Sequence, residues 1–125
     1  MSDKALLNKL FKENNLVKDV DTFSHKHYTI LTRSGIEKVQ AMHDITVTFD
    51  FIESGVAGVV IKAYAKKGDK LIETFGSASK ETSQSKYYVE MAEKRALSRA
   101  VLKMSGLYAY GFFSQDESDD FKPPK

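Results

Sequence analysis

Apolar residues at Leu6, Leu7, Leu10 and Phe11 recur about one helical turn apart, which predicts a short amphipathic helix from Asp3 to about Asn14. Ser2 or Asp3 can cap its start, and Asn14-Asn15 can stop it. A helix of about a dozen residues is stable only when its apolar stripe packs on something else, so this one is expected to dock on the body or on a neighbour. From Leu16 to Tyr28 polar residues break the pattern and a connector is predicted. Ile36, Val39 and Met42 recur at threes, which predicts a second helix from Ser34 to Met42 capped by Thr32 or Ser34.

From Ile45 the period changes to two. Ile45, Val47, Phe49 and Phe51 alternate with Thr46, Thr48 and Asp50, as in a strand with one buried face. The β-branched run Val56 to Lys66 is a second strand, with Ile61, Ala63 and Ala65 on one face and Lys62, Tyr64 and Lys66 on the other. The turn Lys67-Gly68-Asp69-Lys70 leads into a third strand, Leu71 to about Ser77, completing a three-stranded antiparallel meander. Gly76 to Ser85 reads as a loop, and a long helix follows from about Lys86 to Ser105, ended by Gly106. Val89, Ala92, Ala96, Leu97, Ala100, Val101 and Met104 form its apolar stripe, with small residues where it would lie close to a sheet. Arg95, Arg99 and Lys103 repeat every four residues along another ridge. The aromatic run Leu107 to Phe113 is expected to cover the helix end or to form a subunit contact.

The predicted fold class is therefore α+β: short N-terminal helices, then a three-stranded antiparallel meander packed on one long C-terminal helix. With 125 residues and 42% hydrophobic content, one domain over 1–114 accounts for the chain, and 115–125 is expected to be an acidic, disordered tail. Zero cysteines exclude disulfides and thiolate metal sites. No apolar run is long enough to span a bilayer as a helix and no targeting segment stands out, so the expected compartment is the cytoplasm.

A net charge of +2 hides a segregation. Residues 115–125 hold four acids and two lysines, so the rest of the chain carries 17 basic and 13 acidic residues. Between Lys62 and Lys103, ten basic residues face five acids, and a basic middle with an acidic tail is a layout common among nucleic-acid-binding proteins. Catalytic signatures are missing: there is no phosphate-binding loop, dinucleotide fingerprint, nucleophile elbow or zinc pattern. The three histidines, His25, His27 and His43, lack the partners of a metal site, and no cofactor is expected. What remains is a binding surface. Lys62, Tyr64 and Lys66 place cation, ring and cation on one strand face, which suits a single strand whose phosphates take the lysines while a base stacks on the ring; the alternative is that Tyr64 lies under the helix as core.

The order of elements, together with Lys67-Gly68-Asp69, the segment Phe75-Gly76-Ser77-Ala78-Ser79 and the helix text from Met91 to Gly106, resembles the single-strand annealing superfamily of recombination mediators and phage annealing proteins. The resemblance covers about Tyr28 to Gly106. It implies a homo-oligomeric ring or filament with single-stranded DNA in a basic groove between the meander and the long helix. Arg99 and Lys103 fall at the positions of the groove-lining residues. The adjacent basic pair of the family is reduced here, because Ala100 follows Arg99.

These readings together predict a non-enzymatic single-stranded DNA-binding protein that anneals or protects strands in phage-like recombination or replication. Lys62, Lys66, Arg95, Arg99 and Lys103 are expected to contact phosphates and Tyr64 to stack a base. The acidic tail with Phe121 is similar to tails of bacterial single-strand binding proteins, which implies replication or recombination proteins as further partners. The alternative is a structural or adaptor protein using the basic helix and the aromatic run as a protein interface. A third reading, a small enzyme with a cavity between meander and helix and a perturbed acid or His43 at its mouth, has no demand from the sequence behind it.

Overall fold

The computed structural model describes residues 3–26, 28–55, 58–79 and 88–117. Within them the chain folds as α1 (Asp3–Glu13), β1 (Thr22–His25), β2 (Tyr28–Leu31), α2 (Arg33–Met42), β3 (Thr46–Gly55), β4 (Gly58–Lys67), β5 (Lys70–Ser79), α3 (Tyr88–Ser105) and β6 (Phe112–Ser114). Leu107–Tyr110 and Gln115–Glu117 are short 3-10 turns. The class is α+β, as expected. The strands, however, form two three-stranded sheets, β1-β2-β6 and β3-β4-β5.

The second sheet is the antiparallel meander. Gly68 occupies its β4–β5 turn with φ of 59°, a conformation glycine adopts without steric cost, and Lys67 pairs directly with Lys70 across it. The small sheet corrects the sequence reading. The predicted connector over 16–28 contains β1 and the first residue of β2, and the aromatic run supplies β6, which pairs parallel to β2. Within that run Leu107 and Phe112 are buried while Ala109 and Tyr110 are exposed, and Phe112 meets Phe11 of α1 edge-on at 6.1 Å. The predicted loop at Gly76 is also corrected, since β5 continues to Ser79. The predicted starts of the second strand at Val56 and of the long helix at Lys86 lie outside the described residues, as does His27.

Helix α3 lies across β4 and β5 on one side and meets α2 and β6 on the other. Its buried positions therefore run around the helix, from Ala92, Ala96 and Ala100 against the meander to Ser98 and Leu102, rather than forming a single stripe. At Gly76 the approach is so close that a Cβ would collide with the carbonyl of Ala92 and the amide nitrogen of Ala96. Thr74 ties the same pair of elements with a 2.8 Å hydrogen bond from Oγ1 to the Ala96 carbonyl.

The helix barely reaches β3. Phe49 and Phe51 share the helix-facing side of the sheet with Ala63 and Ile61, their register partners, yet remain 36% and 63% exposed. The predicted inner face of the first meander strand is thus covered only at Ile45 and Val47. A bulge between Phe51 and Glu53 leaves Ile52 exposed as well.

Candidate nucleic-acid interface

In antiparallel register, directly paired residues point to the same face. With Ile61, Ala63 and Ala65 turned to α3, the opposite face of the meander carries the rows Asp50–Lys62–Phe75, Thr48–Tyr64–Glu73 and Thr46–Lys66–Leu71. This face takes no cover from α3. Phe75 and Leu71 are 49% and 61% exposed, Tyr64 is half-buried, and Lys66 is exposed.

Lys62 lies at the centre of this surface. Its Nζ lies 5.1 Å from the Tyr64 ring centroid and 5.6 Å from that of Phe75, so one cation faces two rings on neighbouring strands. A 2.5 Å contact with Glu73 Oε1 fixes the ammonium there and, as the main cause, raises the Lys62 pKa above its ordinary value. The Tyr64 hydroxyl donates to Asp50 Oδ2 at 3.0 Å, and this hydrogen bond is the main reason its pKa is raised. The Tyr64 ring is thereby held in place, half-buried, beside the exposed ring of Phe75. Phe75 was not singled out from the sequence. Its signal was the two-residue alternation of the third strand, which sets it beside Lys62 once the register is known.

Two of the three ridge residues on α3 are engaged by partners within the fold. Arg95 is only 5% exposed. Its Nε donates to the Asp116 carbonyl at 2.8 Å and one terminal nitrogen donates to the Ser77 carbonyl at 2.7 Å. Arg99 donates from one terminal nitrogen to the Phe75 carbonyl at 2.6 Å. Its Nε and other terminal nitrogen grip the two carboxylate oxygens of Glu117, each at 2.8 Å. That ion pair is the leading cause of a raised Arg99 pKa. Of the three, only Lys103, in the last turn of α3, is exposed.

The helix is pressed onto the sheet here. Arg95 and Arg99 lie along the edge of β5 that has no partner strand among the described residues, where they hold backbone carbonyls rather than facing a groove between meander and helix. Edge strands expose such carbonyls, and the two arginines satisfy two of them. The structure thus brings Lys62, Tyr64 and Lys66 together on the open face, places Arg95 and Arg99 at the β5 edge, and leaves Lys103 exposed in the last turn of α3. The expected disordered tail also begins with ordered residues, because the Gln115–Glu117 turn is held by these arginines. Residues 118–125, with Phe121, lie outside the described part.

Elsewhere, His43 joins three elements: Nε2 lies 2.9 Å from Asn14 Oδ1 and Nδ1 lies 3.1 Å from Lys67 Nζ. A cleft of about 200 Å³ opens between α1 and β1, lined in part by Lys4, Phe11, Lys18 and Phe23. It lies away from the meander, and His43 is not among its lining residues. No helix among the described residues is long and apolar enough to cross a membrane. Compared with known proteins, the sequence matches no family model and no curated protein.

Proposed function

We propose that this chain binds single-stranded DNA through the open face of its meander and, as a homo-oligomer, anneals or protects strands during recombination or replication without catalysing a reaction. The observation that carries the reading is the Lys62 ammonium placed over the rings of Tyr64 and Phe75 on an exposed sheet face. Single strands favour such a platform, since every base has a face to stack and the cation meets the phosphates between bases. Lys66 extends the basic character along β4. Asp50 and Glu73 hold the tyrosine and the lysine in position, and a phosphate competes with Glu73 for the lysine.

Two rings and two lysines hold only a few nucleotides, so useful affinity requires protomers side by side along a strand. The outer edge of β3 supports that assembly. It has no partner strand among the described residues and carries exposed Phe51 and Ile52, and a second copy of the chain is the occupant that fits repeated binding. The resemblance of the sequence from about Tyr28 to Gly106 to the single-strand annealing superfamily supports the same reading.

Fluorescence anisotropy with an oligothymidylate at low and moderate salt tests the proposal. The expected result is binding at low salt that weakens with added salt and drops about 5- to 100-fold in Tyr64→Ala. Absence of binding at low salt, or equal binding by Tyr64→Ala and Phe75→Ala, would overturn it. Light scattering of Phe51→Glu checks the assembly: a smaller particle than the unmodified protein is expected.

A further inference from the structure

Glu117 and Arg99 meet as a side-on, two-point pair, with Oε1 and Oε2 each 2.8 Å from a guanidinium nitrogen. This geometry serves carboxylates and phosphates alike, because both offer two oxygens at the spacing of the guanidinium fork. The site is more than a lone surface pair. Arg99 is anchored behind by the Phe75 carbonyl, the Tyr108 hydroxyl reaches Glu117 Oε1 at 3.4 Å, and the Glu117 side chain is 18% exposed. One ridge step further along α3, Lys103 is exposed.

The anchor also gives the site its place. The residue whose carbonyl holds Arg99 is the same Phe75 whose ring stands on the open face. A strand stacked on Tyr64 and Phe75 that continues over the β5 edge therefore arrives at Arg99.

We propose that Arg99, with Lys103, forms a second phosphate-binding subsite for single-stranded DNA, and that the Glu117 carboxylate occupies it in the free protein as an intramolecular stand-in. This inference rests on the single-strand reading of the open face. Binding at Lys62 and Tyr64 brings the next phosphates to the β5 edge at high local concentration. There they displace a single carboxylate borne on a three-residue turn. The consequence is graded: a short oligonucleotide confined to the open face leaves Glu117 in place, whereas a longer one must exchange it. Net charge alone makes no such distinction.

The test compares the unmodified protein, Glu117→Gln and Asp69→Asn, which makes the same charge change at the β4–β5 turn, on short and long oligothymidylates at low salt. On the long strand, Glu117→Gln is expected to bind about three- to fivefold tighter than the unmodified protein, as for release of one partly exposed ion pair. Asp69→Asn is expected to give less, and Arg99→Ala added to Glu117→Gln to remove the gain. Equal affinity of Glu117→Gln and the unmodified protein, or a gain matched by Asp69→Asn, overturns the subsite and leaves the open-face reading standing. Failure of every protein to bind overturns both. A measurement on the unmodified protein guards against a folding defect in the variant. The NMR signal of the Arg99 Nε–H is expected to shift on adding the long strand and not the short one, and an unmoved signal at saturation overturns the subsite.

Discussion

The Thr74 hydroxyl donates to the Ala96 carbonyl at 2.8 Å, and this bond marks where strand β5 and helix α3 touch. Two residues along the strand, Gly76 meets the Ala92 carbonyl and the Ala96 amide with no room for a side chain. The colliding atoms are backbone, so neither can rotate away. Gly76→Ala is expected to destabilise the protein by about 1–3 kcal/mol, the usual cost of overpacking. A urea unfolding midpoint lowered with unchanged slope is the expected result.

Asp21 is fully buried between the turn after α1 and the start of α2. Its carboxylate accepts from the Val17 amide at 2.8 Å, Ser34 Oγ at 2.6 Å and Lys38 Nζ at 2.6 Å. Burial pushes the pKa up, but the hydrogen bonds from Lys38, Ser34 and Val17 outweigh it and hold it below the ordinary 3.8. Asp21→Asn is expected to cost about 2–4 kcal/mol, because it leaves Lys38 without its charged partner.

The same carboxylate sets part of the acid sensitivity. With its folded pKa depressed, Asp21 contributes stability that is present above pH 3.8 and lost as pH falls from there through the folded value. Thermal unfolding followed between pH 5 and pH 2 should therefore decline less steeply in Asp21→Asn than in the unmodified protein.

His43 is expected to be neutral, with its proton on Nε2. The Asn14 side-chain amide donates to the Leu10 carbonyl at 2.9 Å, which leaves Asn14 Oδ1 to accept from Nε2 and Nδ1 to accept from Lys67. Burial first and the Lys67 charge second lower the His43 pKa below 6.5, with Glu13 opposing. The stability tied to this group is present above pH 6.5, falls as the unfolded chain takes up the proton below it, and levels off under the folded pKa. An NMR titration should show His43 titrating below the ordinary histidine range, and Lys67→Ala should move it part of the way back.

The two kinds of contact on the open face separate by salt dependence. Lys62→Ala and Lys66→Ala should each reduce the slope of log affinity against log salt by about 0.7, the value per phosphate contact on a single strand. Tyr64→Ala should lower affinity at every salt concentration and leave the slope unchanged. Equal slopes for all three variants would show that the lysines meet no phosphate.

Periodicity made the long elements legible. The alternation through Val47 to Phe51, the split of Lys62, Tyr64 and Lys66 from Ile61, Ala63 and Ala65, and the run from Ala92 to Met104 each carry enough repeats to declare a strand or a helix. Thr22–His25 and Phe112–Ser114 do not, having four and three residues with polar positions mixed in. They become strands because Tyr28–Leu31 lies between them and supplies partners from both sides. Phe49 and Phe51 show the reverse: their alternation defined a face, but not whether α3 would extend over it.

Local pattern, then, was sufficient for the α+β class, the meander, its turn at Gly68, the helix end at Gly106 and the grouping of Tyr64 with Lys62 and Lys66, because all of these depend on residues near each other in the chain; that this group faces away from α3 came only with the fold. Tertiary structure alone decided what Arg95 and Arg99 hold. Spacing put them on one ridge with Lys103, but a guanidinium binds whichever acceptor the fold brings within reach. Here the nearest acceptors are the carbonyls of Ser77 and Phe75 and the chain at Asp116 and Glu117, about 20 residues away on either side.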